Sequence, residues 1–190
     1  MADRRRREPA DDLIGALVAA ENEPGRISPG EVLSYCILLL AAGNETTTNL
    51  IGGMVNALIQ NPDQLALLRR DPGLIKNAIE EGLRYCSPVQ GLFRRVHEDT
   101  ELGGVTIPAG SRVWVCYASA NRDPDRFEDP DDFDITRDCR GHVAFGWGLH
   151  FCLGANLARR EARVAIEHLL PVLDEVGLRD RVEWLPSWVI

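Results

Sequence analysis

The chain has 190 residues, of which 45% are hydrophobic and 26% charged, and its 29 acidic and 21 basic side chains give a formal charge of −8. This composition fits a soluble globular chain able to bury a core; it excludes a collagen-like or low-complexity protein, and the acidic balance gives no global support to nucleic-acid binding. The longest strongly apolar run, Val32 to Ala42, is far shorter than the roughly 20 residues of a membrane-spanning helix, so no membrane association is expected.

In chain order, Asp11 to Glu21 carries Leu13, Ile14, Leu17 and Val18 at helical spacing before Glu23-Pro24-Gly25 interrupts it, which predicts a short helix. Ser28-Pro29-Gly30-Glu31 supplies an N-cap, a proline at the first helical position and a glutamate three residues after the cap. No proline follows until Pro62, so the helix is expected to run about 33 residues, or roughly 50 Å. Asp63 to Arg70 and Pro72 to Tyr85 predict two more amphipathic helices, the second stopped by Pro88. Between Leu92 and Cys116 the pattern becomes β-like, with Gly103-Gly104 and Pro108-Ala109-Gly110 as turns and Val113 to Cys116 as the clearest strand, predicting one small sheet. Residues 121–141 are rich in Asp, Pro and Arg and predict a long structured loop, and Leu153 to Leu170 returns to helical spacing.

Three constellations carry chemistry. Gly43-Asn44-Glu45-Thr46-Thr47-Thr48-Asn49 sets a carboxylate and hydroxyls in the middle of the long helix. Gly43 lowers helix propensity by roughly 1 kcal/mol against alanine, so local weakening is expected there. With a ligand against this point, Glu45 and Thr46 can relay protons; otherwise the segment is a solvated face. Glu81 and Arg84, three apart on the helix ending at Tyr85, read by themselves as a surface ion pair. The third is Phe145-Gly146-Trp147-Gly148-Leu149-His150-Phe151-Cys152-Leu153-Gly154, which delivers a cysteine just before a helix. The helix start favours its thiolate, and the glycines allow close approach of a flat, bulky group, as a metal-bound thiolate requires. A zinc site from Cys139, His142, His150 and Cys152 is the other metal reading.

Together, in this order, these motifs resemble the cytochrome P450 family of haem-thiolate monooxygenases, in its soluble bacterial form. Phe145, Gly148, His150, Cys152 and Gly154 match the Phe-x-x-Gly-x-His-x-Cys-x-Gly signature; residues 42–47 are similar to the oxygen-activation motif of the central helix; Glu81 and Arg84 match Glu-x-x-Arg. The resemblance implies a mainly α fold, the C-terminal part of the P450 fold: long central helix, Glu-x-x-Arg helix, small β-sheet, meander, cysteine loop and following helix. It implies that residues 1–190 form a single partial domain, without the family's N-terminal half and final hairpin.

By the same resemblance the cofactor is haem b (iron protoporphyrin IX), with Cys152 as the iron ligand. Glu45 and Thr46 match the proton-delivering acid–alcohol pair, and Gly43 leaves space beside them. His150 and Arg94 match propionate-binding positions, and His142 either approaches the haem edge or orders its loop. Glu81 and Arg84 become a buried structural pair holding the cysteine loop and meander. Asp132 stands where an arginine completing that cluster is expected, leaving Arg122 or Arg137 to replace it. The implied reaction inserts one oxygen atom from O2 into a small organic substrate, with electrons from a separate ferredoxin or flavodoxin. Arg159 and Arg160 are candidates to meet that donor, and Leu39, Ala42, Val89, Gln90 and Leu92 are candidates for the substrate pocket. A non-catalytic, truncated haem-binding fragment is the rival reading. Five cysteines, an odd number without C-x-x-C pairing or a preceding signal-peptide pattern, point to a reducing compartment, expected to be the cytoplasm.

Overall fold

A computed structural model of the protein describes residues 10–21 and 27–173, together with Arg7, Glu8, Val176, Val182, Ser187 and Val189. The chain divides into two compact units, residues 1–45 and 46–190. The first contains α1 (Leu13–Glu21) and the opening of α2 (Pro29–Gln60). The start of α2 is the expected capping box: Glu31 Oε2 accepts from the Ser28 N–H at 2.7 Å, and the Glu31 N–H donates back to Ser28 Oγ at 3.3 Å. These hydrogen bonds hold the Glu31 carboxyl below its ordinary pKa. At 32 residues, α2 has the expected length and runs without interruption through Gly43 to Asn49. The i→i−4 ladder, extended over the whole helix, outweighs the propensity loss at one glycine.

The second unit takes up the remainder of α2, then α3 (Pro62–Arg70), a 3₁₀ turn at Pro72–Leu74, and α4 (Ile75–Cys86). Prolines at the start of α3 and of the turn set these boundaries, since neither residue needs to donate an N–H there. Helix α4 ends where Ser87 turns left-handed at φ 41° and its N–H bonds back to the Leu83 carbonyl. The core forms from Leu50, Met54 and Leu58 of α2, Leu65 and Leu68 of α3, and Ile79 and Leu83 of α4. Phe133 and Ile135 join it from residues 121–139, and Ala162 and Ile166 from α6 (Ala155–Leu169). Helices α2 and α4 approach closely at Gly82, where an added Cβ would lie 2.4 Å from Met54 Cγ.

The predicted single sheet is two separate ladders. Strand β1 (Gly91–Arg95) pairs antiparallel with β4 (Arg112–Cys116), Arg94 opposite Val113. Strands β2 (Thr100–Leu102) and β3 (Val105–Ile107) form their own hairpin, closed by Gly103 and Gly104 at φ 58° and 77°. Two adjacent residues at positive φ make the tight turn whose twist suits a two-residue hairpin. A short helix, α5 (Tyr117–Ala120), follows β4. Among the described residues, no helix is long and apolar enough to cross a membrane.

Candidate functional site

The cysteine loop is shaped by its own backbone. Gly146 and Gly148 both sit at φ 71°, a region that side-chain-bearing residues seldom adopt. Between them the chain reverses, and a 3₁₀ turn at Gly148–His150 leads into Cys152. The Cys152 N–H donates to the Phe145 carbonyl at 3.0 Å, and the Ala155 N–H donates to the Cys152 carbonyl at 3.3 Å. Gly154 is the N-cap of α6, so the cysteine lies just before the start of that helix.

Cys152 is exposed, and so are His150 and the large apolar side chains beside it: Trp147 is 81% exposed, Leu149 98% and Leu153 93%. The exposed thiol thus stands within a cluster of exposed apolar side chains. Arg94 lies exposed on β1 and its Nη2 donates to the Tyr117 hydroxyl at 3.4 Å. That hydroxyl borders the loop, 3.7 Å from where a Cβ on Gly146 would stand. The structure therefore brings Arg94 towards the cysteine loop through Tyr117. On α2, Gly43 and Glu45 are exposed and Thr46 is half-buried, and space beside Gly43 is open to at least 4 Å from a built Cβ.

Glu81 and Arg84 are entirely buried, which overturns the surface-pair reading of their spacing. Arg84 donates five hydrogen bonds. Two go to the Glu81 carboxylate, both at 2.7 Å, and three to the carbonyls of Asn121, Pro130 and Asp132 at 3.0, 2.7 and 3.0 Å. Glu81 also accepts from the Asp134 N–H at 2.9 Å and from the Cys139 thiol at 3.3 Å. Burial and the neighbouring Glu81 push the Cys139 thiol well above the ordinary range.

Of the two candidate replacements for the arginine expected at Asp132, Arg137 joins the cluster, with Nε 3.4 Å from Glu81 Oε1 and further bonds to the Glu128, Asp129 and Asp132 carbonyls. Arg122 instead reaches Asp131 and the Tyr85 carbonyl. Asp132 contributes its main chain, so its side chain does not need to be basic. The pair clamps residues 121–139 directly; its link towards the cysteine loop is indirect, through Asn121, whose Oδ1 accepts from the Val143 N–H at 2.7 Å.

His142 orders its loop: Nδ1 accepts from the Ala144 N–H at 3.2 Å while Nε2 donates to Glu80 at 3.0 Å. The four residues of the zinc reading are not gathered, because Cys139 faces Glu81, and no group of three ligating side chains forms a metal cluster among the described residues. Three partners were not legible as such in the sequence. Glu80, Arg159 and Asn121 each act across 22 to 79 positions, and only the acidic doublet Glu80-Glu81 hinted at a second carboxylate there. An open groove of about 630 Å³ lies between α4 and α6, lined in part by Lys76, Glu80, Arg159, Arg160 and Arg163.

A Cytochrome P450 family model matches residues 73–173, from the turn before α4 to the last turn after α6. The chain belongs to the cytochrome P450 family. Cytochrome P450 107B1 of Saccharopolyspora erythraea is 54% identical over 185 residues, covering 95% of this chain and 46% of its own length. Vitamin D(3) 25-hydroxylase of Pseudonocardia autotrophica is 51% identical over 180 residues, covering 94% of this chain and 45% of its own. Among solved P450 structures, that of CYP109E1 from Bacillus megaterium in complex with testosterone has a TM-score of 0.92 at 40% identity, covering 100% of this chain and 53% of that one. CYP109Q5 from Chondromyces apiculatus gives a TM-score of 0.85 at 53% identity, with 89% and 44% covered. The mainly helical architecture with small sheets is thus a partial P450 fold, and the chain spans about half the length of the curated relatives it matches.

Proposed function

We propose that this chain is the haem-binding part of a P450 monooxygenase, with residues 1–190 belonging to one partial domain. The observation that carries the proposal is Cys152: an exposed thiol at the start of α6, on a loop bent by two positive-φ glycines and flanked by Trp147, Leu149 and Leu153. These features fit haem b, whose porphyrin would cover the apolar side chains and whose iron would take the thiolate. Phe145 and Gly154 frame the loop, Gly148 lets its backbone pass close, and His150 and Arg94 would meet the two propionates with charge-assisted bonds. When bound, a thiolate-ligated haem supplies O–O cleavage and oxygen transfer.

The chain's own residues then have distinct tasks. Glu45 holds a proton for delivery and Thr46 passes it on from α2, while the missing side chain at Gly43 leaves room beside them. Val89, Gln90 and Leu92 would touch a small organic substrate. Electrons come from a ferredoxin or flavodoxin, and Arg160, exposed and without a hydrogen-bond or ion-pair partner among the described residues, offers a contact to it. Arg159 is committed to Glu80 and is less available for that role. A cytoplasmic location agrees with the five free cysteines.

The test is spectroscopic. The haem-loaded, reduced protein under carbon monoxide should show the red-shifted band of thiolate ligation, and Cys152→Ala should lose it. A variant spectrum identical to that of the parent would overturn the assignment.

A further inference from the structure

We infer that Arg159, held by Glu80 and laid over Phe145, is a positioning residue for the Cys152 thiolate and that the Glu80–Arg159 pair sets the net charge this sulfur faces. The inference rests on the haem-thiolate reading above.

Glu80 and Glu81 are consecutive on α4 but serve different elements. Glu81 faces the meander. Glu80 receives both Arg159 Nε and Nη2, at 2.6 and 2.8 Å, in a bidentate contact, and His142 Nε2 at 3.0 Å. His142 Nδ1 accepts from the Ala144 N–H, which turns Nε2 towards Glu80. The Arg159 guanidinium lies 4.6 Å from the centroid of the Phe145 ring, whose face attracts a cation. The carbonyl of that same Phe145 receives the Cys152 N–H. One chain of contacts therefore runs from Glu80 through Arg159 and Phe145 to the backbone that presents the sulfur.

The charges support the same connection. Burial alone would raise the Glu80 carboxyl, but the hydrogen bonds from His142 and Arg159, with the charge of Arg159, hold it at about 2. The Arg159 pKa is raised, chiefly by its bond to Glu80. Glu80, being of opposite charge, cancels part of the field that Arg159 would exert on the sulfur.

The sign follows. Positive charge near a haem favours its reduced state, so Glu80→Gln should raise the reduction potential of the haem-loaded protein. Arg159→Gln should lower it. Each shift is expected to be about tenfold in the reduction equilibrium, which is about 59 mV for one electron. The double variant should return close to the parent potential, and Arg159→Lys, which keeps the charge but loses the fork and the stacking, should hold the potential while increasing the fraction of protein without the thiolate carbon monoxide band. Unchanged potentials in both single variants, shifts of the same sign, or an Arg159→Lys shift equal to that of Arg159→Gln would overturn the inference. A parent protein that binds haem without the thiolate band would instead overturn the haem-thiolate reading on which it stands.

Discussion

Arg84→Ala should be among the most damaging single substitutions in the chain. The side chain is fully buried and satisfies five acceptors: both Glu81 oxygens and three main-chain carbonyls from Asn121, Pro130 and Asp132. Removing one partner of a buried ion pair costs about 3 to 5 kcal/mol, because the remaining charge keeps its desolvation penalty. Arg137 offsets a part of this at Glu81, but the three carbonyls lose charge-assisted partners, so a loss of at least about 4 kcal/mol is expected. That is a large share of the 5 to 15 kcal/mol typical of whole domains.

Arg84→Lys retains the charge but has three donors for five acceptors, so at least two bonds are lost and about 2 to 5 kcal/mol with them. Urea denaturation of the haem-loaded protein measures both variants, with the slope unchanged and the midpoint displaced. If Arg84→Ala lies within about 1 kcal/mol of the parent, the cluster is not the clamp its geometry indicates.

Cys152→Ala should leave stability within about 0.5 kcal/mol of the parent, since the thiol is exposed, while abolishing the thiolate carbon monoxide band; comparison of urea midpoints in the haem-free state with the spectra checks both halves. Gly82→Ala should destabilise by about 1 to 3 kcal/mol, because its Cβ would come within 2.4 Å of Met54 Cγ at the α2–α4 contact, and a double-mutant cycle should show a smaller penalty for Gly82→Ala when Met54 is already alanine. Glu80 has a carboxyl held at about 2 against an ordinary 4.5, so the folded state binds fewer protons there than the unfolded one. Its contribution is therefore present above pH 4.5 and is lost as pH falls from 4.5 towards 2; Glu80→Gln should flatten the acid arm of the stability–pH curve over that window.

Where the sequence was informative, the reason is local. Pro29, Pro62 and Pro72 fix where helices begin because a missing N–H and a set φ act on their own neighbours, and the observed starts of α2 and α3 and of the 3₁₀ turn before α4 fall at these residues. The Ser28–Glu31 cap is likewise a three-residue event. The glycine-spaced approach to Cys152 was legible for the same reason, and Gly146 and Gly148 do adopt positive φ.

Sheet pairing was not local. Strand β1 finds β4 across the intervening hairpin, and nothing in the composition of Gly91 to Arg95 distinguishes that partner from β2. The burial of Glu81 and Arg84, supplied by the Glu-x-x-Arg resemblance, was hidden from their spacing alone for a related reason. Three-apart opposite charges look alike on a wet or dry helix face, and the acceptors that make this face dry arrive 37 to 48 residues later. Position-by-position matching pointed to Asp132 as the departure, whereas the basic side chain of the cluster comes from Arg137, which reaches it through loop geometry.

The way Arg84 holds residues 121–132 makes it a gauge of loop length rather than of loop composition. Its three acceptors there are carbonyls, which every amino acid carries, so side chains along this stretch can be exchanged without loosening the grip wherever the backbone path is kept. A single inserted or deleted residue between Asn121 and Pro130 would shift two of the three carbonyls out of register at once. The segment should therefore tolerate scanning by substitution far better than scanning by insertion, although it has little regular secondary structure and by appearance alone would be taken for a forgiving surface loop.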